Sequence, residues 1–173
     1  SGGVNNGTGS DFATVRYNTD GTLDMTFSVD GIVQTAIGAG TDIAYETLIQ
    51  ADGKIVAVGF SVNGVDADVA LVRYNSDGTL DTSFDLDGKV SYDSGTGDDG
   101  AYGATLQGDG KIVVVGSQDG GAEPDFMVLR YDTDGTLDAT FGLNGLVITD
   151  FGAYAAAQDV TIDNSGKIVV VGS

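Results

Sequence analysis

Apolar residues in this chain fall into short runs punctuated by glycine and aspartate. Phe12–Tyr17 is apolar toward both faces until Arg16, and Ile32–Ile37 follows an Asp30-Gly31 pair. Tyr45–Gln50 alternates, with Tyr45, Thr47 and Ile49 on one side, and Ile55–Phe60 opens as an unbroken Ile-Val-Ala-Val. Each run has strand length and turn residues at its ends, and the unbroken ones fit strands covered on both faces. The 51–54 stretch carries Asp52-Gly53 and predicts a tight hairpin, because Asp-Gly tolerates the positive φ such a turn demands. No segment sustains a 3.6-residue apolar period, so an all-β chain is expected.

The pattern then recurs. Segments DFATVRYNTDGTLDMTFSVDGIV from Asp11, DVALVRYNSDGTLDTSFDLDGKV from Asp68 and DFMVLRYDTDGTLDATFGLNGLV from Asp125 stand 57 residues apart, without a gap. A second landmark follows in each copy: ADGKIVAVG from Ala51, GDGKIVVVG from Gly108 and NSGKIVVVG from Asn164, the last reached one residue early. Residues 1–173 therefore read as one repeat region with units 11–67, 68–124 and 125–173, the last completed by 1–10. Four antiparallel strands per 57 residues is the size of a β-propeller blade, and packing between blades explains strands that are apolar on both faces. An elongated stack of β-hairpins, a solenoid, is the alternative way to bury repeats against one another.

The block Arg-Tyr-Asn-x-Asp-Gly-Thr-Leu-Asp-x-x-Phe from Arg16, followed by Asp-Gly-Lys-Ile-Val-x-Val-Gly from Asp52, resembles the delta-60 repeat family. The resemblance spans Asp11 to Gly172 in three copies, with small departures at Val69 and at Ser165-Gly166. It implies β-propeller repeats carried in multiple copies by large secreted or surface bacterial proteins, and hence an extracellular or cell-surface location. It brings no catalytic residues with it. Val171-Gly172-Ser173 falls within the second landmark, and Ser1–Ser10 matches the loops Ser61–Ala67 and Ser117–Pro124, so half a blade is expected at each end. Propellers close with about four to eight blades, and exposed edge strands seek partners. The strands of Val160–Ser173 are accordingly expected to complete a blade with the Phe12–Ile37 strands of another copy, in a ring or a filament.

Composition narrows the chemistry. Lys plus Arg is 7 against 26 for Asp plus Glu, a net charge of −19, and only Glu46 and Glu123 of those acids are glutamates. Such a surface cannot neutralise phosphates, so nucleic acid is not an expected partner. No apolar run reaches the roughly 18 residues of a membrane span, and insertion is not expected. Cys, His and Trp are absent, which removes disulfides, Cys/His zinc sites and His-based triads.

Three kinds of residue remain as candidates. Asn18–Asp24, Asn75–Asp81 and Asp132–Asp138 place oxygen ligands around a glycine, as a Ca²⁺ loop does. Loop position 1 would then be Arg16 and position 12 Phe27, so turns closed by Asp20 and Asp24 are expected, with structural Ca²⁺ as the alternative and otherwise no cofactor. Arg16, Arg73 and Arg130 occur once per repeat, which points to bidentate pairs with Asp24, Asp81 and Asp138 rather than to a ring of anion receptors. Paired carboxylates could support glycoside hydrolysis, and acids that break the repeat are Glu46, Asp93, Asp98, Asp99, Glu123 and Asp159. No partner base, oxyanion donor or aromatic sugar platform is read beside them. No catalytic, cofactor or metal residues are therefore assigned, and the expected function is a non-catalytic structural or adhesive module. The alternative is a propeller that binds a surface glycan, protein or peptide through the divergent loops Ala36–Asp42, Asp93–Gly100 and Asp150–Ala156.

Overall fold

In the computed structural model, which describes residues 2–5, 9–121 and 123–173, every regular element is a strand. The first sheet holds β1 (Gly2–Asn5), β2 (Ser10–Val15) and β3 (Ile32–Thr35). The second holds β4 (Asp42–Ile49), β5 (Ile55–Val62), β6 (Ala67–Tyr74) and β7 (Lys89–Tyr92). The third holds β8 (Asp99–Leu106), β9 (Ile112–Asp119), β10 (Pro124–Tyr131) and β11 (Leu146–Thr149), and the fourth holds β12 (Ala157–Ile162) and β13 (Ile168–Gly172). Strands within each sheet pair antiparallel in chain order. Each 57-residue repeat thus supplies two strands to one sheet and the next two to the following sheet.

The turns form where Asp-Gly pairs stand. Gly53 and Gly110 take φ of +84° and +88° in the β4–β5 and β8–β9 hairpins. Strand limits shift by a few residues, Phe12–Tyr17 becoming Ser10–Val15, Ile32–Ile37 becoming Ile32–Thr35 and Ile55–Phe60 becoming Ile55–Val62, and two further changes go beyond that. The 1–10 stretch is not all loop: Gly2–Asn5 pairs with Ser10–Ala13, because β2 offers it the same edge that β6 offers to the second half of β5. Ser1 and residues 6–8 of that stretch lie outside the described residues. Tyr45–Gln50 becomes Asp42–Ile49, interrupted by a bulge at Tyr45.

Packing takes place between consecutive sheets. Phe12 and Phe27 of the first sheet meet Ile55, Ala57, Val72 and Tyr74 of the second. On the other face of the second sheet, Val56, Val58, Leu71 and Phe84 pack on Ile112, Val114, Leu129 and Tyr131 of the third. Val113 and Val115 then meet Ala157 and Val160 of the fourth. That is why β5 and β9 read as unbroken apolar runs: successive residues point into two different cores. The stacking has a repeated contact at its rim. The Phe27 ring lies 3.1 Å from where a Cβ on Gly78 would stand, and the Phe84 ring 2.9 Å from the same point on Gly135. Each phenylalanine needs a glycine in the next repeat.

Candidate functional site

At one end of the strands each repeat builds the same turn. In the first, Asn18 N–H donates to the Thr22 carbonyl, and Thr22 donates through its N–H (3.0 Å) and hydroxyl (2.6 Å) to Asp20 Oδ1. Those bonds hold Asp20 below the ordinary carboxylate range, and Thr26 does the same for Asp24. Gly21 sits at φ +86°, as the turn requires. The cation-loop candidates Asn18–Asp24, Asn75–Asp81 and Asp132–Asp138 are thus Asx-type turns whose carboxylates accept neighbouring N–H and hydroxyl groups.

The arginines lock these turns. Arg16, Arg73 and Arg130 donate from Nε to Asp24, Asp81 and Asp138 at 2.8, 2.6 and 2.7 Å. Each guanidinium also lies 4.3–4.7 Å over a phenylalanine ring, Phe27, Phe84 or Phe141. The pairing partners are as expected and each pair lies within one repeat, but the pairs are not bidentate. The second arm reaches forward: Arg16 donates to the Ser76 carbonyl and Arg73 to the Thr133 carbonyl, each at 2.5 Å. Backbone bonds follow the same path, from Ser28 N–H to the Asp77 carbonyl and from Asp85 N–H to the Asp134 carbonyl. Lys54 and Lys111 add a second cation to Asp81 and Asp138 at 2.8 Å. Burial raises the pKa of Asp81, but Lys54, Ser83 and Arg73 outweigh it and hold the group far below its usual value. Lys111, Thr140 and Arg130 do the same for Asp138.

The divergent loops gather at the opposite end of the strands. There Tyr45 and Tyr102 are the extra residues of bulges in β4 and β8, and their rings meet at 5.6 Å, with Phe60 5.9 Å from Tyr45. Beside them opens a cleft of about 440 Å³ lined by Phe60, Tyr102, Tyr154, Asp98, Asp99 and Ser117, among others. Sequence reasoning passed over this aromatic group, having looked for tryptophan. The signal was the tyrosine pair at 45 and 102, one repeat apart on the first strand of successive sheets.

The candidate acids scatter. Asp99 does not break the repeat: it aligns with Asp42, and both are buried caps for their own loops. Asp42 accepts from Ile37 and Gly38 N–H groups, Asp99 from Ser94 N–H and hydroxyl. Burial, with Asp93 and Asp68 nearby, pushes the Asp99 pKa up despite those bonds. Asp98 accepts from Ala67 N–H, while Asp93 accepts from Gly95 N–H as its counterpart Asp150 does from Gly152 N–H. Glu46 and Asp159 cap the N–H groups of Thr47 and Val160, and Glu123 is exposed. Only Asp98 and Asp99 share the aromatic cleft.

The family model described as "Domain of unknown function (DUF5122) beta-propeller" matches residues 2–27, 50–84 and 107–141, which contain the Arg–Asp turns and their hairpins. The chain belongs to that family. The match falls on all three repeats, and the antiparallel sheets are β-propeller-like blades, with β4, β8 and β12 adjacent in succession. No curated protein matches the chain.

Proposed function

We propose that this β-propeller chain is a non-catalytic structural and adhesive module working outside the cell or on a bacterial cell surface, within a repeat array or a self-assembled ring or filament. The observation that carries this reading is where the charged groups go: each arginine ties a repeat turn, and two of them bond the following repeat. Likeness to the delta-60 repeats supports the location, and the strong negative charge would keep long arrays soluble and apart. The scatter of Glu46, Asp98 and Asp159 onto separate backbone N–H groups speaks for binding or scaffolding over hydrolysis. Surface labelling of intact producing cells, paired with a panel of glycoside, ester and peptide substrates, tests it. Labelling without lysis and no turnover is the expected result. An internal location, or turnover abolished by Asp98→Asn with Asp99→Asn, overturns it.

A second reading rests on the aromatic cleft, where Tyr102, Phe60 and Tyr154 offer ring faces beside Asp98. A sugar or peptide would stack there and donate hydroxyl or N–H groups to the carboxylates. Tyrosine fluorescence titrated with glycan and peptide libraries, with Tyr102→Ala as the control, measures it.

A further inference from the structure

The blade-to-blade contact is made twice within the chain, and each of its two halves is also present once more, uncovered. One half is on the first sheet. Tyr74 and Tyr131 are buried in the cores, whereas their counterpart Tyr17 is 62% exposed, and Val15 is 38% exposed where Val72 and Leu129 are covered. Gly21 has nothing within 4 Å of its Cβ position, although Gly78 and Gly135 each receive a phenylalanine ring. The other half is on the third and fourth sheets. Val169 and Val171 are 45% and 57% exposed, while Val56, Val58, Val113 and Val115 are fully covered. Arg130 turns its forward arm back to Gln107 at 3.3 Å, where Arg16 and Arg73 reach a following turn.

Resting on the repeat-module reading, we infer that these halves belong together: one copy of the chain docks on a second through a composite blade, β12 and β13 of one joined edge to edge with β1–β3 of the other. The register follows from β5 on β6, where Ile55 faces Tyr74 and Ala57 faces Val72. It sets Ile168 opposite Tyr17 and Val170 opposite Val15, beside the part of β2 that β1, ending its pairing at Ala13, leaves open. Gly172 and Gly2 both align with Gly59, so the end of β13 takes the place on β2 that the start of β1 holds in the single chain. Charges match as well. Lys54 and Lys111 pair with Asp81 and Asp138, whereas Asp24 has Arg16 alone and Lys167 has no ion pair among the described residues. In the composite blade Lys167 meets Asp24, Arg130 meets the Thr19 carbonyl, and Phe141 covers Gly21.

The absence of cysteine makes the test clean. Directly opposed residues of a hydrogen-bonded antiparallel pair lie about 5.5 Å apart at Cα, within disulfide reach. Val15→Cys and Val170→Cys chains are therefore oxidised separately and as a mixture. Crosslinking only in the mixture, at twice the 17.5 kDa chain mass, is expected. No crosslink in the mixture, or equal crosslinking of each variant with itself, overturns the composite blade. Sedimentation gives a second readout. The native chain should associate at tens of micromolar, and Tyr17→Asp, at an exposed position and with an unchanged β spectrum, should be monomeric; a native monomer at that concentration refutes the inference. Failure here leaves a non-catalytic surface module standing, whereas turnover or an internal location would sink that reading and leave the composite blade untouched.

Discussion

Arg73→Ala isolates the contact that joins the repeats. The side chain is 5% exposed and donates to Asp81 at 2.6 Å, to the Thr133 carbonyl at 2.5 Å and to Ser83 at 3.3 Å, above the Phe84 ring. Removing one member of a buried pair costs about 3–5 kcal/mol, largely because the other charge is stranded. Lys54 still holds Asp81 after the change, so the lower end, about 3 kcal/mol, is expected. Arg16 supplies an internal comparison. Its contacts are the same in kind, but it is 30% exposed and its aspartate 20%, which brings its pair toward the roughly 1 kcal/mol of surface bridges. Urea denaturation followed by circular dichroism gives both losses from the midpoint at constant slope. Adding Lys54→Ala to Arg73→Ala should cost more than the sum of the single changes, since Asp81 then loses both cations. Equal losses at Arg16 and Arg73, or a loss below about 1 kcal/mol at Arg73, would refute the argument that burial makes this pair matter.

Acidity should act in two directions. Asp68 and Asp99 carry pKa values raised chiefly by burial, so each favours the folded state while protonated and loses that contribution as pH rises through its folded value. Asp81 and Asp138 are depressed, so they favour folding above about pH 3.9 and lose it as pH falls below that. The urea midpoint should therefore rise on acidification from pH 7 toward the ordinary carboxylate range and fall beneath it; a steady decline from pH 7 would contradict the assignment. Gly78→Ala should lose at least about 1 kcal/mol more than Gly21→Ala, because both sit near φ +87° but only the former drives a Cβ to within 2.8 Å of Ser28 N. Melting temperatures of the two variants check this. Divalent cations should raise the midpoint broadly, with Mg²⁺ and Ca²⁺ alike, by neutralising the net charge of −19. Three tight Ca²⁺-selective sites in a calorimetric titration would instead mark the Asn18–Asp24 turn and its copies as cation loops.

Much of the architecture was legible because propeller blades are written locally. Asp-Gly pairs mark turns through backbone preference alone, and the unbroken Ile-Val runs at 55 and 112 announce strands with a core on either side. Arg16 and Asp24 could be matched from their constant spacing. What spacing could not supply was direction: that the second arm of Arg16 crosses to Ser76 depends on how sheets stack, which no residue pattern encodes. The bulges at Tyr45 and Tyr102 were hidden for a related reason, since a bulge is defined by the partner strand. Gly2–Asn5 looked like loop because glycine and asparagine disfavour strands, and pairing along β2 overrode that preference. Asp99 was misjudged only because the loops before it differ in sequence, which concealed its match to Asp42.

The contiguity of each blade has a mechanical consequence. Strands β4–β7 form one unbroken stretch of chain, 42–92, and β8–β11 another, 99–149, so a pull along the chain can peel one sheet at a time. What ties a sheet to the next is the forward bond of Arg16 or Arg73 and the backbone bond beside it. Rupture should then advance sheet by sheet, each event releasing one 57-residue period, about 190 Å of contour at roughly 3.4 Å per residue.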